Sequence, residues 1–125
     1  MSSESVDIIN HIDVEIHRYA RCHNYQHLYD LLKDNRNLEI LFKPTATNPC
    51  PFSMPVLFSD RYAVQKVMAD NGLYLPVLWT INDRAKEICR NSKRVSENML
   101  SIPIDQRFNY YDIKEIGERI NKITN

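Results

Sequence analysis

The stretch Pro51-Phe52-Ser53-Met54-Pro55-Val56-Leu57-Phe58-Ser59-Asp60-Arg61 sets the reading of the fold. Phe52, Met54, Val56 and Phe58 alternate with Ser53, Pro55 and Leu57, the period of two that gives a strand one buried face. Pro55 has no N–H to donate to a ladder, so the strand is expected at a sheet edge or at a bulge. Ser59 or Asp60 can cap a helix over about residues 60–71, with Val64, Val67 and Met68 inward. Gly72 stands where a left-handed C-terminal cap belongs.

Working outward, residues 73–79 read as a further strand, again with a proline, Pro76. Asn82 or Asp83 caps a helix through about residue 97, with Ala85, Ile88, Cys89 and Val95 inward. Residues 99–104 form a short last strand. Asn109 and Asp112 make a capping pair for a helix over 110–123, whose apolar side is Ile113, Ile116, Ile120 and Ile123. Upstream, 38–43 is a short strand and 44–51 a loop by composition. Ile8, Ile12, Ile16 and Tyr19, then Tyr25, Leu28, Leu31 and Leu32, predict one long helix over about 6–34, interrupted near residues 21–24. At 1.5 Å per residue it would run roughly 40 Å, more than a small domain covers, so part of it should project.

The predicted order is α-β-β-α-β-α-β-α. It implies an α+β fold: a long N-terminal helix and a small mixed or antiparallel sheet of three to four strands, with helices packed on one face. A single domain, 1–125, is expected, with 1–34 a long leading helix and 35–125 an α/β sandwich.

The 125 residues suit one domain, and 43% of them are apolar, enough for a core. Sixteen basic residues balance sixteen acidic ones, which argues against nucleic acid as a partner. No apolar run approaches the roughly 20 residues of a membrane span, and residues 1–5 lack the features of a signal peptide. Cys22, Cys50 and Cys89 have neither redox nor zinc spacing, so reduced thiols and a cytoplasmic setting are expected. Gly72 and Gly117 are the only glycines, too far apart for a phosphate-cradling loop.

All four histidines fall in the first predicted helix. His23, His27 and Asp30 share a face and are weak candidates for a metal site, since no second element offers a ligand. No metal is expected, and a metal-assisted hydrolase built on these three residues ranks last. Arg84, Lys86, Arg90, Lys93 and Arg94 could meet an acidic partner, but Asp83, Glu87 and Glu97 dilute them. A serine nucleophile motif is missing.

Gly72-Leu73-Tyr74-Leu75-Pro76-Val77-Leu78-Trp79 resembles the "G-I-Y-x-P-V-H-W" segment of DegT-type sugar aminotransferases, with Leu78 where that family often has histidine. Arg21-Cys22-His23-Asn24-Tyr25, followed by Leu28, resembles its "R-x-x-N-Y-x-x-L". Pro55-Val56-Leu57-Phe58 with Asp60-Arg61 resembles its central strand and helix start. Met99-Leu100-Ser101-Ile102-Pro103-Ile104 resembles "I-L-S-L-P-I", and residues 109–112 its last polar turn. The ordered series spans about 14–123.

The resemblance implies the C-terminal small domain of a fold-type-I enzyme that depends on pyridoxal phosphate (PLP). In that family a lysine on a preceding large domain holds the cofactor. Too few residues precede Arg21 to supply that domain. The resemblance therefore implies no catalytic residue, no cofactor bound by this chain alone and no activity alone. Tyr74, Trp79, Arg21 and Asn24 are the candidates to face a nucleotide-sugar substrate. The expected partner is a cofactor-bearing aminotransferase domain, or a second copy through the first helix. The alternative is a small ligand-binding or protein-interaction module without PLP.

Overall fold

β1 (Leu38–Ile40), β2 (Ser53–Phe58) and β3 (Met99–Pro103) pair antiparallel in the order β1-β2-β3. The computed structural model describes residues 2–45, 50–78 and 80–124. β2, expected at an edge or with a bulge, is the central strand. It accommodates Pro55 because a strand residue turns its N and C=O to the same neighbour. The Pro55 carbonyl accepts from Leu41 N at 3.2 Å, just past the last residue of β1. The missing N–H therefore falls where that ladder has already ended.

Residues 73–78 were expected as a strand and are not one. They run beside β3, and among the described residues one backbone bond joins the two, Ser101 N to Pro76 O at 3.0 Å. Pro76 can accept there but cannot donate, which stops a ladder.

The helices among the described residues are α1 (Ser3–His11), α2 (Val14–Leu32), α3 (Arg61–Asp70), α4 (Asp83–Ile88), α5 (Arg90–Asn98) and α6 (Tyr110–Thr124). The long first helix is thus two, and the first is short. The break lies at Ile12 and Asp13, not at residues 21–24. Asp13 is extended, and its carboxylate accepts from Glu15 N at 3.0 Å and Ile16 N at 3.2 Å, so it caps α2. The helix predicted to end near 97 also divides. Cys89 is extended and ends α4, and Ile88 and Cys89, expected inward, are exposed.

The other signals behave as their chemistry requires. Asp60 and Asn82 each accept from a backbone N–H three residues on, and Asn109 and Asp112 bond each other's backbone N–H. Gly72 has φ 76°, with Gly72 N bonded to Ala69 O and Leu73 N to Met68 O, the paired bonds of a Schellman cap.

α2, α3 and α6 cover one face of the sheet. Leu28, Leu32, Met68, Ile113 and Ile120 pack there against Met54, Val56, Phe58, Leu100 and Ile102. Each such side chain contributes roughly 1.5–3 kcal/mol on burial. α2 and α6 approach closely at Gly117, where an added Cβ would lie 2.8 Å from Leu31 Cδ1. No helix among the described residues is long and apolar enough to cross a membrane.

Candidate functional site

The sheet's second face carries the cross-strand pairs Ser53–Pro103, Pro55–Ser101 and Leu57–Met99. α5 covers the Leu57–Met99 end, where Arg94 bonds Glu39, the β1 partner of Leu57. The other end is open and forms a groove. One part, about 410 Å³, has an apolar lining that includes Tyr25, Phe42, Phe52, Pro55 and Met99. The other part, about 510 Å³, is bordered by Arg21, Pro76, Asp105, Gln106 and Arg107. Phe52, Ser53 and Ser101 line both parts, so the two are continuous. The Ser53 and Ser101 hydroxyls bond each other at 2.6 Å on its floor.

Helix α2 supplies the groove's side and fixes the loop at its polar end. Arg21 Nε donates to Gln106 Oε1 at 2.8 Å. One turn on, Asn24 Nδ2 donates to the carbonyls of Ile104, Asp105 and Phe108 at 3.3, 3.1 and 3.0 Å. Tyr25 donates its hydroxyl to Phe42 O at 2.8 Å, and burial pushes its phenol pKa up. The Arg-x-x-Asn-Tyr spacing therefore staples α2 to the segments on either side of the groove. Arg107 donates to both Asp105 oxygens and holds that carboxyl at about 2. Such a groove can take an apolar or planar group at one end and a hydrogen-bonding or anionic group at the other.

The proposed substrate-facing residues do not converge. Arg21 borders the groove. Asn24 is 4% exposed and its amide is committed to backbone, so it holds the loop and has no face toward a ligand. Tyr74 is 76% exposed and lies in a separate hollow beside Tyr62 and Gln65. Trp79 lies outside the described residues. His23, His27 and Asp30 form no metal cluster: no group of three His, Cys, Asp or Glu among the described residues could hold an ion. The Asp30 oxygens are bonded by Gln26 and Lys33, and the His27 ring stacks on Tyr110 with centroids 4.2 Å apart.

Phe42, Phe52, Ser53, Ser101 and Gln106 are groove residues that the sequence reading did not single out. Alternation predicts Phe52 on the buried face, yet it is 70% exposed. Ser53 and Ser101 carried a usable signal, polar positions facing the side opposite the core on neighbouring strands.

No protein-family model matches the chain, and no curated protein matches it in sequence. Solved structures do match in fold. A DegT DnrJ EryC1 StrS aminotransferase from Brucella abortus has TM-score 0.71 and 13% identity, covering 86% of this chain and 31% of that one. The sugar aminotransferase CalS13 from Micromonospora echinospora has TM-score 0.73 and 18% identity, covering 88% and 31%. GDP-4-keto-6-deoxymannose-3-dehydratase, solved with a trapped PLP-glutamate geminal diamine, has TM-score 0.71 and 12% identity, covering 90% and 32%. This chain thus spans about a third of the length of the structures it matches. Its fold is that of one portion of the DegT-type sugar aminotransferases.

Proposed function

We propose that these 125 residues act as the C-terminal small domain of a PLP-dependent aminotransferase of nucleotide-linked sugars, and need a cofactor-bearing domain to do so. The observation that carries this reading is the fold match, which takes in most of this chain and only about a third of each enzyme. The open sheet face, with its groove, is where the cofactor-bearing domain and the sugar would meet this one. The three free thiols fit a reducing cytoplasm.

The residues present do not fit PLP by themselves. The cofactor needs an amine held in a pocket and backbone N–H groups around its phosphate. Lys33, Lys43, Lys66, Lys86, Lys93, Lys114 and Lys122 are all exposed or half-buried. Lys43, at the groove rim, is exposed. Gly72 serves as a helix cap, and Gly117 lies against Leu31. No step through the cofactor can be assigned to this chain.

The test is absorbance of the purified chain mixed with PLP, followed by dialysis, and then an amino-transfer assay with a keto-sugar nucleotide and glutamate. The expected result is no retained imine band and no transfer by the chain alone, with transfer appearing once a cofactor-bearing domain is added. A band that survives dialysis, or unaided transfer, overturns the reading. The apolar half of the groove favours one alternative, a small ligand-binding module without PLP. Thermal shift of the chain alone with nucleotide sugars and amino acids separates the two.

A further inference from the structure

We propose that Cys22 and Cys50 form a paired redox site, which a small-molecule disulfide converts into an internal disulfide that pins the groove's aromatic wall to α2. The proposal does not rest on the functional reading above. It rests on the path of the chain over one stripe of α2. Arg18, Cys22 and Tyr25, at spacings of four and three, follow one another along one side of the helix. Tyr25 marks one end of the stripe: it bonds the Phe42 carbonyl and lines the same recess as Pro51 and Phe52. Arg18 marks the other end. Glu15, which it bonds, raises its pKa most, and the Cys22 and Cys50 thiols add weakly in the same direction. Influence between exposed groups fades beyond about 10 Å, so Cys50 lies in the neighbourhood of Arg18. Tyr25 and Arg18 stand about 10 Å apart along the helix axis. Pro51 and Cys50 are consecutive, with Cα atoms about 3.8 Å apart. A chain with Pro51 beside Tyr25 and Cys50 within reach of Arg18 runs back along the stripe, and Cys22 is the residue between.

The exposures set the order of reaction. Cys50 is exposed and Cys22 half-buried. The Cys50 thiolate attacks one sulfur of glutathione disulfide, the S–S bond breaks, and one glutathione leaves as a thiolate that takes up a proton. The Cys22 thiolate then attacks the Cys50 sulfur of the mixed disulfide and expels the second glutathione in the same way. Two protein thiols are oxidised to one disulfide and one glutathione disulfide is reduced to two thiols, so no other reactant is needed. Arg18 is occupied by Glu15 and activates neither thiol; the pair reacts because its members are neighbours. Cys89 is the internal control. It is exposed, and hydrogen bonds from Ser92 lower its thiol pKa, so it meets the oxidant readily. It caps α5, on the opposite side of the sheet from α2, and should stop at the mixed disulfide. The Cys22–Cys50 bond holds Pro51 and Phe52 against the helix and gives the apolar part of the groove one fixed wall.

The test is titration of the full chain with glutathione disulfide, read by peptide mapping without reductant. The expected product has one Cys22–Cys50 disulfide per chain and glutathione on Cys89, and excess glutathione reverses both. Cys22→Ser should stop with glutathione on Cys50. The preference of Cys50 for Cys22 over Cys89 should fall at least about tenfold in urea, where only loop length distinguishes them. Amide exchange of residues 50–53 should slow in the oxidised chain. A native chain that stops at separate mixed disulfides would overturn the proposal. So would a bond from Cys50 to Cys89 or to a second chain, or a preference that survives unfolding. Unchanged exchange at residues 50–53 would overturn the pinning of the wall.

Discussion

Ile9, Ile12, Ile16 and Tyr19 have the same spacing as Ile113, Ile116, Ile120 and Ile123. The second set lies between α6 and the sheet, with Ile113 and Ile120 fully buried, whereas the first stands in water along an N-terminal arm made of α1 and the first turns of α2. The second set lies on one helix that begins at the Asn109–Asp112 cap, whereas the first is divided between α1 and α2 by the Asp13 cap. Their difference teaches that helical periodicity identifies an apolar face but does not say what covers it. α6 is covered because Gly117 lets α2 approach and because Asn121 Nδ2 reaches the Leu31 carbonyl at 2.9 Å. The arm has no such neighbour among the described residues.

The largest effect should come from truncating matched isoleucines in the two regions. Ile120→Ala removes a fully buried side chain and should cost about 2–5 kcal/mol, by lost transfer energy and the cavity left behind. Ile9→Ala, measured by urea unfolding at concentrations where the chain is monomeric, should change stability by less than about 0.5 kcal/mol. Equal losses would break the comparison, since they would mean that the arm packs on its own domain.

An intermediate effect is expected where the arm's helix enters the core. Asn24→Ala leaves the Ile104, Asp105 and Phe108 carbonyls without their side-chain donor and should cost about 1–3 kcal/mol. Increased amide exchange confined to residues 104–109 would sharpen the picture of Asn24 as a staple. Unchanged stability would remove it.

Elements that depend on short-range chemistry were legible in the sequence. The caps at Asp60, Asn82, Asn109 and Gly72 stand where residue type placed them, β2 lies where alternation placed it, and β3 falls within the strand expected at 99–104. Pairing order was not legible, because β2's central position depends on where β1 stops, a matter of register between distant segments. The break at Asp13 was missed because aspartate can continue a helix as well as cap one, and only the competing backbone geometry decides. Of the candidate site, Arg21 was legible through its motif. The aromatic walls Phe42 and Phe52 were not, since the side of the sheet they take depends on which helices leave it open.

The smallest effect tests the join between the two regions, at His27 on α2. Its ring stacks on Tyr110 at the start of α6, and its buried Nε2 has no hydrogen-bond partner among the described residues. Burial lowers its pKa, the neighbouring His23 and Lys114 act the same way, and Asp30 opposes them. An unfolded histidine titrates near 6.5, so below that pH the unfolded chain binds a proton that the folded chain resists. The contribution of neutral His27 is therefore complete above pH 6.5 and is lost as pH falls toward the lowered folded value. The urea midpoint should drop between pH 7 and pH 5, a window above the range of Asp105, whose carboxyl is held at about 2. His27→Phe keeps an aromatic ring against Tyr110 and carries no proton, so it should flatten that drop. An identical drop in wild type and variant would place the acid sensitivity elsewhere, outside the contact between α2 and α6.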